Sequence, residues 1–262
     1  MAQNYESKYW GLFYDQMMEE HLGDWLEENR AFYASHLHDV KGQVLDCACG
    51  TGLILLPLLT DGFDVKGFDI SDAMLSTLRS KALDQGFSDI DERISKQNLE
   101  TFTYPMQFDA AIIPTNSFVL LATQDAQISC LRNVYSHLVP GGRLLMDIRL
   151  DGMKGFVECP DGIMTGRWGV WDHPETGKPI RQRLDQVGCD LTNQLTFDRC
   201  YVEYEGYAEE FPMTARWIFK DEFQLLLRLA GFRRWDVWGG RDHEPLFVTL
   251  DDTNSYWIAY KD

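Results

Sequence analysis

Hydrophobic and polar positions along the chain form short apolar runs separated by longer amphipathic segments. Short apolar runs predict buried strands, and apolar residues spaced three or four apart predict helices. The predicted strands are Gln43–Cys47, Phe63–Asp69, Glu92–Ser95, Phe108–Ile113, Arg143–Ile148, Arg233–Trp238 and Ser255–Tyr260, and the predicted helices are Leu53–Thr60, Ser71–Gln85, Gln124–Leu138 and Lys220–Ala230. Because strands alternate with helices, we expect an α/β fold with a mostly parallel sheet covered on both faces.

The stretch between the fifth and sixth predicted strands breaks this alternation. Arg181–Val187 and Gln194–Tyr204 alternate polar and apolar residues around the turn-forming residues 190–193, which predicts an antiparallel hairpin. Residues at the start of the chain are amphipathic and rich in Tyr and Trp, which predicts helices. We therefore expect a single domain with four parts: an N-terminal helical cap (1–39), a ligand-binding core (40–150), an inserted antiparallel β lid (151–212) and a C-terminal completion of the sheet (213–262).

Charge and hydropathy narrow the function classes. The 262 residues carry a formal net charge of −17, and such an acidic surface repels the phosphate backbone of nucleic acids. No apolar run approaches the ~20 residues of a membrane span, and no basic-then-apolar start resembles a signal peptide. The six cysteines are scattered, as expected for reduced thiols. We expect a cytoplasmic enzyme that acts on a small molecule and binds neither nucleic acid nor membrane.

One turn carries most of the candidate chemistry: the run VLDCACGTG, which ends at Gly52. Gly50 and Gly52 leave no side chain between the backbone and a ligand. Asp46 stands where a carboxylate can meet an ammonium group, and Asp69, at the end of the second strand, can accept both hydroxyls of a ribose. A dinucleotide-binding turn would need a small residue where this chain has Leu55. The pattern therefore favours an adenosine with an amino-acid tail over a pyrophosphate.

In this setting the run LDCACGTG resembles the first motif of the class I S-adenosylmethionine (SAM)-dependent methyltransferases, with Ala48 where glycine is more common. Later segments resemble further motifs of that family in the same order: GFDISDAML (67–75), FDAAIIPTNSF (108–118) and LVPGGRL (138–144). Ala48 and the Asn-Ser-Phe within 108–118 are similar to the branch related to glycine and sarcosine N-methyltransferases. The resemblance implies a Rossmann-like seven-stranded sheet of order 3-2-1-4-5-7-6 with strand 7 antiparallel, SAM as cofactor and a small-molecule methyl acceptor.

The resemblance also assigns cofactor contacts along the carboxyl ends of the strands. Asp46 and the two glycines would hold the methionine tail, Asp69 the ribose, and Asn98 the adenine amino group. The first helix of the chain would close over the cofactor. The expected cofactor-binding residues are Tyr14, Asp46, Ala48, Gly50, Gly52, Asp69, Ile70, Met74, Asn98, Leu99 and Pro114.

Three residues are candidates at the acceptor end: Asn116, Arg149 and His243. Asn116 follows the fourth strand and is expected to contact the acceptor. Arg149 follows the fifth strand, where the glycine-type branch uses Arg against a substrate carboxylate; a salt bridge to the lid is the alternative. His243 lies in the loop after the sixth strand and is a candidate general base, unless that loop is merely surface. Asp147 has no second acid after the fourth strand, so we expect no metal.

Several alternatives stay open on sequence alone. The lid aromatics either form an apolar acceptor pocket or build the core of the lid itself: Phe156, Trp168, Trp171, Phe197, Tyr201, Tyr204 and Tyr207. An amine or amino-acid-like acceptor is slightly favoured, with O- or C-methylation of a natural-product-like molecule as the alternative. A NAD(P)-dependent oxidoreductase and a non-catalytic SAM-binding protein would use related folds. Residues 1–39 either pair with a second subunit, as in a homodimer, or fold back.

Overall fold

The computed structural model describes residues 8–149, 163–173, 176–239, 244–246 and 254–262. The described helices are α1 (Lys8–Leu37), α2 (Leu55–Thr60), α3 (Asp72–Asp84), α4 (Ile90–Arg93), α5 (Gln124–His137) and α6 (Lys220–Ala230). The described strands are β1 (Val44–Cys47), β2 (Val65–Asp69), β3 (Ile94–Lys96), β4 (Phe108–Ile113), β5 (Leu138–Arg149), β6 (Ile163–Met164), β7 (Gly169–Asp172), β8 (Pro179–Asp190), β9 (Leu195–Tyr204), β10 (Tyr207–Arg216), β11 (Arg234–Trp238) and β12 (Asn254–Tyr260). None of the helices described is long and apolar enough to cross a membrane.

The central sheet has the strand order β3-β2-β1-β4-β5-β12-β11 among the described strands. β1 to β5 pair in parallel, whereas β12 runs antiparallel to both β5 and β11. With β11 and β12 as the sixth and seventh strands of this sheet, the predicted order and the antiparallel seventh strand are confirmed. The sheet separates two hydrophobic clusters, one under α1, α2 and α3 and the other under α5 and α6, so its inner strands are buried on both faces.

Local sequence signals set most of the element ends. The Ser71 side chain accepts a hydrogen bond from the backbone N–H of Met74 and caps α3. Gly231 takes the left-handed conformation (φ 116°) that ends α6. The predicted turn at 140–142 lies within β5, which starts five residues earlier than expected because Leu138 already pairs with Phe108.

A second, antiparallel sheet has the order β10-β9-β8-β6, with β7 also paired to β8. β8 and β9 form the predicted hairpin around residues 191–194. The sheet continues through β10, so the expected lid boundary at residue 212 falls inside this strand. Phe13 of α1 packs into a small cluster of this sheet with Ile180, Cys200, Val202 and Phe211.

Helix α1 folds back over its own chain and has two parts. Leu22 has non-helical torsion angles (φ −135°, ψ 21°), which mark a kink. Before the kink, α1 packs on α3, where the Thr77 hydroxyl donates to the Gly11 carbonyl at 2.9 Å. After the kink, Phe32 and Tyr33 are buried against the central sheet. α1 and the second sheet thereby cover one edge of the central sheet.

Candidate functional site

A cavity of about 870 Å³ lies between the central sheet, α1 and the second sheet. Its walls include the residues that follow the carboxyl ends of β1, β2 and β4, together with Arg149 at the end of β5. α1 contributes Tyr14 and Trp25, and the second sheet contributes side chains from β8, β9 and β10. Open α/β sheets bind their ligands at this edge, and the cavity is therefore the candidate functional site.

Most of the predicted cofactor residues share this cavity. Its wall contains Tyr14, Ala48, Gly50, Asp69, Ile70, Met74, Asn98, Leu99 and Pro114, and it also contains Asn116 and Arg149 from the acceptor set. Asp46 and Gly52 are not part of the wall. His243 lies outside the described residues. Most of the candidate residues therefore lie together at one edge of the sheet, and their roles toward a ligand stay predictions.

The two glycines of the first turn, Gly50 and Gly52, have different structural roles. Both have positive φ, 53° for Gly50 and 84° for Gly52. A Cβ on Gly50 would meet no atom within 4 Å, whereas a Cβ on Gly52 would lie 2.3 Å from Leu78 Cδ1 and 3.0 Å from Leu56 Cγ. Gly50 therefore presents bare backbone to the cavity. Gly52 instead allows close packing of the turn on α2 and α3 and does not line the cavity, so its backbone contact with the ligand stays a prediction. Ala48, also left-handed (φ 63°), takes up a conformation that glycine adopts more easily.

Asp69 stands at the carboxyl end of β2 with its carboxylate in the cavity wall. Its two oxygens accept backbone N–H groups of Gly50 and Ser71, both at 2.9 Å. Burial raises the pKa of this carboxyl, and these N–H donors oppose the rise. A carboxylate oxygen accepts more than one hydrogen bond, so Asp69 keeps acceptor capacity for the hydroxyls of a ribose.

Asp46 is fully buried in β1, and neither of its oxygens has a hydrogen-bond partner among the described groups. Burial, followed by the nearby charge of Asp69, raises its pKa well above the ordinary value. A buried carboxylate without a partner is costly, and a cationic ligand group or a water would relieve that cost. The Asp46 carboxylate fits a ligand with an ammonium group. Because Asp46 does not line the cavity, contact between its carboxylate and the ligand stays a prediction.

The wall at β2 and β3 suits a flat aromatic ring. Ile70, 38% exposed, and Met74 follow β2, and Leu99 follows β3. Asn98 is oriented by the N–H of Glu100, which donates to its Oδ1 at 2.7 Å. Gln97 belongs to the same wall and was missed by the sequence analysis, because a glutamine beside a strand end carries no motif.

The loop after β4 forms the other end of the cavity. Thr115 and Asn116 are both left-handed, with φ of 53° and 57°. The Asn116 Oδ1 accepts the backbone N–H of Arg149 at 2.8 Å, so the two predicted acceptor residues are joined directly. The guanidinium group of Arg149 lies 5.4 Å from the centre of the Trp25 ring. Asp147, considered above as a metal ligand, points both oxygens at donors of the protein instead.

Tyr14 brings α1 to this end of the cavity. Its hydroxyl group hydrogen-bonds the side chain of Thr115, and burial raises its pKa to about 12. The neighbouring Asp15 bonds Thr51 of the first turn and Lys81 of α3. The cap is therefore anchored to both the first turn and the loop after β4.

The described lid aromatics belong to the lid and not to the cavity wall. None of the six described ones lines the cavity: Trp168, Trp171, Phe197, Tyr201, Tyr204 and Tyr207. The guanidinium carbons of Arg181 and Arg183 lie 4.7 and 5.1 Å from the centre of the Trp168 ring. Tyr204 stacks on His173. Phe156 lies outside the described residues. The second sheet and its connections present both apolar and polar side chains to the cavity. The polar ones include Arg167, Gln186, Thr196 and Asp198, which alternation alone could not single out.

Comparison with known proteins gives the following matches. A family model described as "Methyltransferase domain" matches residues 44–142. The chain is 28% identical over 217 residues to a cypemycin N-terminal methyltransferase of a Streptomyces species, a match that covers 82% of each chain. It is 25% identical over 223 residues to a glycine/sarcosine N-methyltransferase of Halorhodospira halochloris, over 78% of this chain and 72% of the relative.

The fold also has close counterparts among solved structures. A crystal structure of a SAM-dependent methyltransferase from Clostridium acetobutylicum ATCC 824 matches with a TM-score of 0.73 at 16% identity, covering 95% of this chain and 97% of the other. Because the identity is this low, the match is evidence for the fold alone, and it confirms the Rossmann-like architecture.

Proposed function

We propose that this chain, a class I SAM-dependent methyltransferase, transfers the methyl group of SAM to the nitrogen of a small amine that carries an acidic group. The family model and the relatives confirm the enzyme class and the cofactor expected from the sequence. What we propose beyond them is the acceptor, a small, amino-acid-like amine.

The observation that carries the proposal is the pairing of Asn116 with Arg149 at one end of the cavity. The Arg149 backbone is held by the Asn116 side chain at 2.8 Å, and its guanidinium lies against Trp25. A guanidinium group in this position favours an anionic group, because it forms charge-assisted hydrogen bonds with carboxylates. The acceptor would then be held by its acid group while its amine faces the cofactor end.

The available side chains favour an amine over a hydroxyl or carbon acceptor. An amine needs only to lose its proton, whereas a hydroxyl benefits from a general base. The described part of the cavity wall contains no histidine, and its one thiol, Cys49, has a pKa raised well above the ordinary value by burial. Besides Asp69, assigned to the ribose, its carboxylates are Glu100 and Asp198, which are the candidate bases for a hydroxyl acceptor. Of the two relatives, one is named an N-terminal methyltransferase and the other a glycine/sarcosine N-methyltransferase, which supports an amine acceptor.

The cavity volume supports an acceptor larger than glycine. Pockets for small molecules span about 300–1,000 Å³, and a cavity of about 870 Å³ has room for the cofactor and a further molecule. Gln186, Thr196 and Asp198 on the second sheet would contact the polar part of the acceptor that lies away from its amine.

The chain's own residues mainly bind, orient and exclude water. When bound, SAM supplies a methyl group that is already activated by the positive charge on sulfur. Asp69, Asn98 and the backbone of Gly50 would hold the cofactor, while Asn116 and Arg149 would orient the acceptor. α1 and the second sheet cover the cavity and keep water from the reacting groups.

The test is an acceptor screen read by mass spectrometry. Purified protein with SAM is incubated with α-amino acids, dipeptides with free N-termini and amino sugars, against phenols and catechols of matched size. We expect S-adenosylhomocysteine and a methylated product from amines only. Methylated phenols without methylated amines would overturn the proposal. Binding of S-adenosylhomocysteine without turnover of any acceptor would support the non-catalytic alternative.

A variant of Arg149 tests the acid group of the acceptor. Loss of a charge-assisted hydrogen bond costs about 1.5–3 kcal/mol, so Arg149→Ala should raise the KM of a carboxylate-bearing amine by about 10-fold or more. The KM of the corresponding amide should change little. Arg79→Ala is the matched control, because Arg79 pairs with Asp91 on the surface. An equal rise in KM for acid and amide would remove the anionic group from the proposal.

A further inference from the structure

Asp147 is a buried carboxylate that belongs to neither the predicted cofactor set nor the acceptor set. It stands near the end of β5 and is 1% exposed. Its Oδ1 accepts the Tyr33 hydroxyl at 2.5 Å and the backbone N–H of Thr115 at 2.8 Å. Its Oδ2 accepts the backbone N–H of Asn116 at 2.7 Å. One side chain thus joins α1, β5 and the loop after β4.

The loop after β4 depends on these hydrogen bonds. Thr115 and Asn116 are consecutive left-handed residues with side chains, a conformation that is sparsely populated because Cβ crowds the backbone. Such backbone turns successive N–H groups towards an anion. The ionised carboxylate of Asp147 satisfies both N–H groups and offsets the strain of the loop.

The same loop holds the groups at the acceptor end of the cavity. The Thr115 side chain bonds Tyr14, and the Asn116 side chain holds the backbone of Arg149. We propose that the ionised carboxylate of Asp147 is a positioning group that fixes this loop for acceptor binding, and that its protonation releases the loop. The inference rests on the proposed function insofar as Asn116 and Arg149 contact the acceptor.

The charge state of Asp147 can change in an accessible pH range. Burial raises its pKa to about 6, and the donors Tyr33, Asn116 and Thr115 partly oppose that rise. A proton on either oxygen removes an acceptor that the Tyr33 hydroxyl or a loop N–H now uses. We therefore expect the loop to be held above pH 6 and loosened below it.

Other titratable groups face Asp147 from each neighbouring element. Tyr33 and Tyr14 come from α1, Tyr256 is its cross-strand partner on β12, Asp46 lies on β1, and Arg149 is two residues further along β5. Burial keeps the pKa of both α1 tyrosines above the ordinary value, so they stay protonated at neutral pH. The pKa of the Asp46 carboxyl lies well above its ordinary value for the same reason, and a variant of Asp46 separates its titration from that of Asp147.

The direct test follows the backbone amides of Thr115 and Asn116 by NMR between pH 5 and pH 8, without any acceptor. In the wild-type protein both amide proton shifts should titrate together with a midpoint near the pKa of about 6. In Tyr33→Phe the midpoint should move upwards, because a hydrogen bond to the ionised carboxylate is lost. In Asp147→Asn the titration should disappear. Tyr104→Phe, which removes a hydroxyl bonded to Ser95, is the control and should leave the midpoint unchanged.

The functional consequence is read with S-adenosylhomocysteine binding and with the acceptor found in the screen. Asp147→Asn should lower kcat by about 10- to 100-fold, since small misplacements of reacting groups have effects of that size, while the Kd for S-adenosylhomocysteine stays within about threefold, or 0.7 kcal/mol. The acid limb of kcat should follow the amide midpoint in both the wild type and Tyr33→Phe.

The outcomes separate this inference from the proposed function. Amide shifts that do not titrate would overturn the inference and leave amine methylation intact. So would shifts that still titrate in Asp147→Asn but stop titrating in Asp46→Asn. The inference would also be overturned if the amide midpoint moves in Tyr33→Phe while the acid limb of kcat stays where it is in the wild type. A failed amine screen with the expected amide titration would overturn the proposed function but not the control of the loop by Asp147.

Discussion

Replacing the two glycines of the first turn one at a time should separate cofactor binding from stability. Gly50 and Gly52 lie two residues apart, and both have positive φ. An added Cβ points into open space at Gly50 and into buried side chains at Gly52, 2.3 Å from Leu78 Cδ1. Leu78 has no exposed surface and cannot swing aside without disturbing the core. We expect Gly50→Ala to impair ligand binding and Gly52→Ala to impair folding.

The size of each effect follows from the local geometry. A left-handed alanine costs about 1–2 kcal/mol relative to glycine, and this applies at both positions. Only Gly52→Ala adds overpacking against Leu78 and Leu56, which costs about 1–3 kcal/mol more. The free energy of unfolding should therefore fall by about 1–2 kcal/mol in Gly50→Ala and about 2–5 kcal/mol in Gly52→Ala. The Cβ of the first variant should weaken S-adenosylhomocysteine binding by at least about 10-fold, equivalent to 1.4 kcal/mol.

Two measurements on each variant check this reasoning: urea unfolding without ligand, and isothermal titration with S-adenosylhomocysteine at a temperature where both variants are folded. NAD serves as the control ligand, and neither variant should gain affinity for it. The reasoning is refuted if Gly50→Ala binds S-adenosylhomocysteine like the wild type, because the open side of Gly50 would then not face the ligand. It is also refuted if the two variants lose equal stability.

Three further variants test the buried polar groups. Asp69→Ala should weaken S-adenosylhomocysteine binding by about 100-fold or more, because two hydrogen bonds to a charged acceptor are worth about 1.5–3 kcal/mol each; unchanged affinity in calorimetry would remove the ribose role. Asp46→Asn should raise the free energy of unfolding at pH 8. Because the folded pKa of Asp46 is raised by burial, its stabilising contribution is present below the unfolded pKa and lost as pH rises through the folded pKa. A gain that grows at low pH in urea titrations would contradict this sign. Arg216→Met should destabilise by about 3 kcal/mol, since the buried guanidinium bonds Gln127 at 2.8 Å and Glu222 at 2.6 Å; an unchanged urea midpoint would show that the pair contributes nothing net.

Periodicity predicted the central sheet because its strands alternate regularly with helices and its local signals agree with one another. β4 and α6 begin and end at the predicted residues, and the Ser71 cap and the Gly231 stop act as their residue types indicate. One error is local: the predicted strand Glu92–Ser95 overlaps helix α4, and β3 begins only at Ile94. The other errors lie at element ends that are set by pairing between distant strands. β5 begins at Leu138 because it pairs with Phe108, a contact between residues that are 30 positions apart. β7 and β10 are parts of a sheet whose register depends on partners that periodicity does not identify.

In the candidate site, too, some residues were predicted from the sequence and others were missed. Residues with a motif, such as Asp69 and Asn116, line the cavity, because each motif position lies at or just after a strand end. The packing role of Gly52 was not predicted, because a glycine that packs against helices and a glycine that faces a ligand look alike in sequence. The polar lid residues, such as Gln186 and Asp198, were missed because their direction follows from the register of β8 on β9.

Three buried carboxylates at one edge of the sheet explain why the site suits a cationic cofactor. Asp46, Asp69 and Asp147 stand at or near the carboxyl ends of β1, β2 and β5, and burial raises the pKa of all three. Asp147 has protein donors for both oxygens and Asp69 has backbone donors, so only Asp46 lacks hydrogen bonds among the described groups. SAM carries positive charge on both its sulfur and its ammonium group, so its binding reduces the cost of burying these charges.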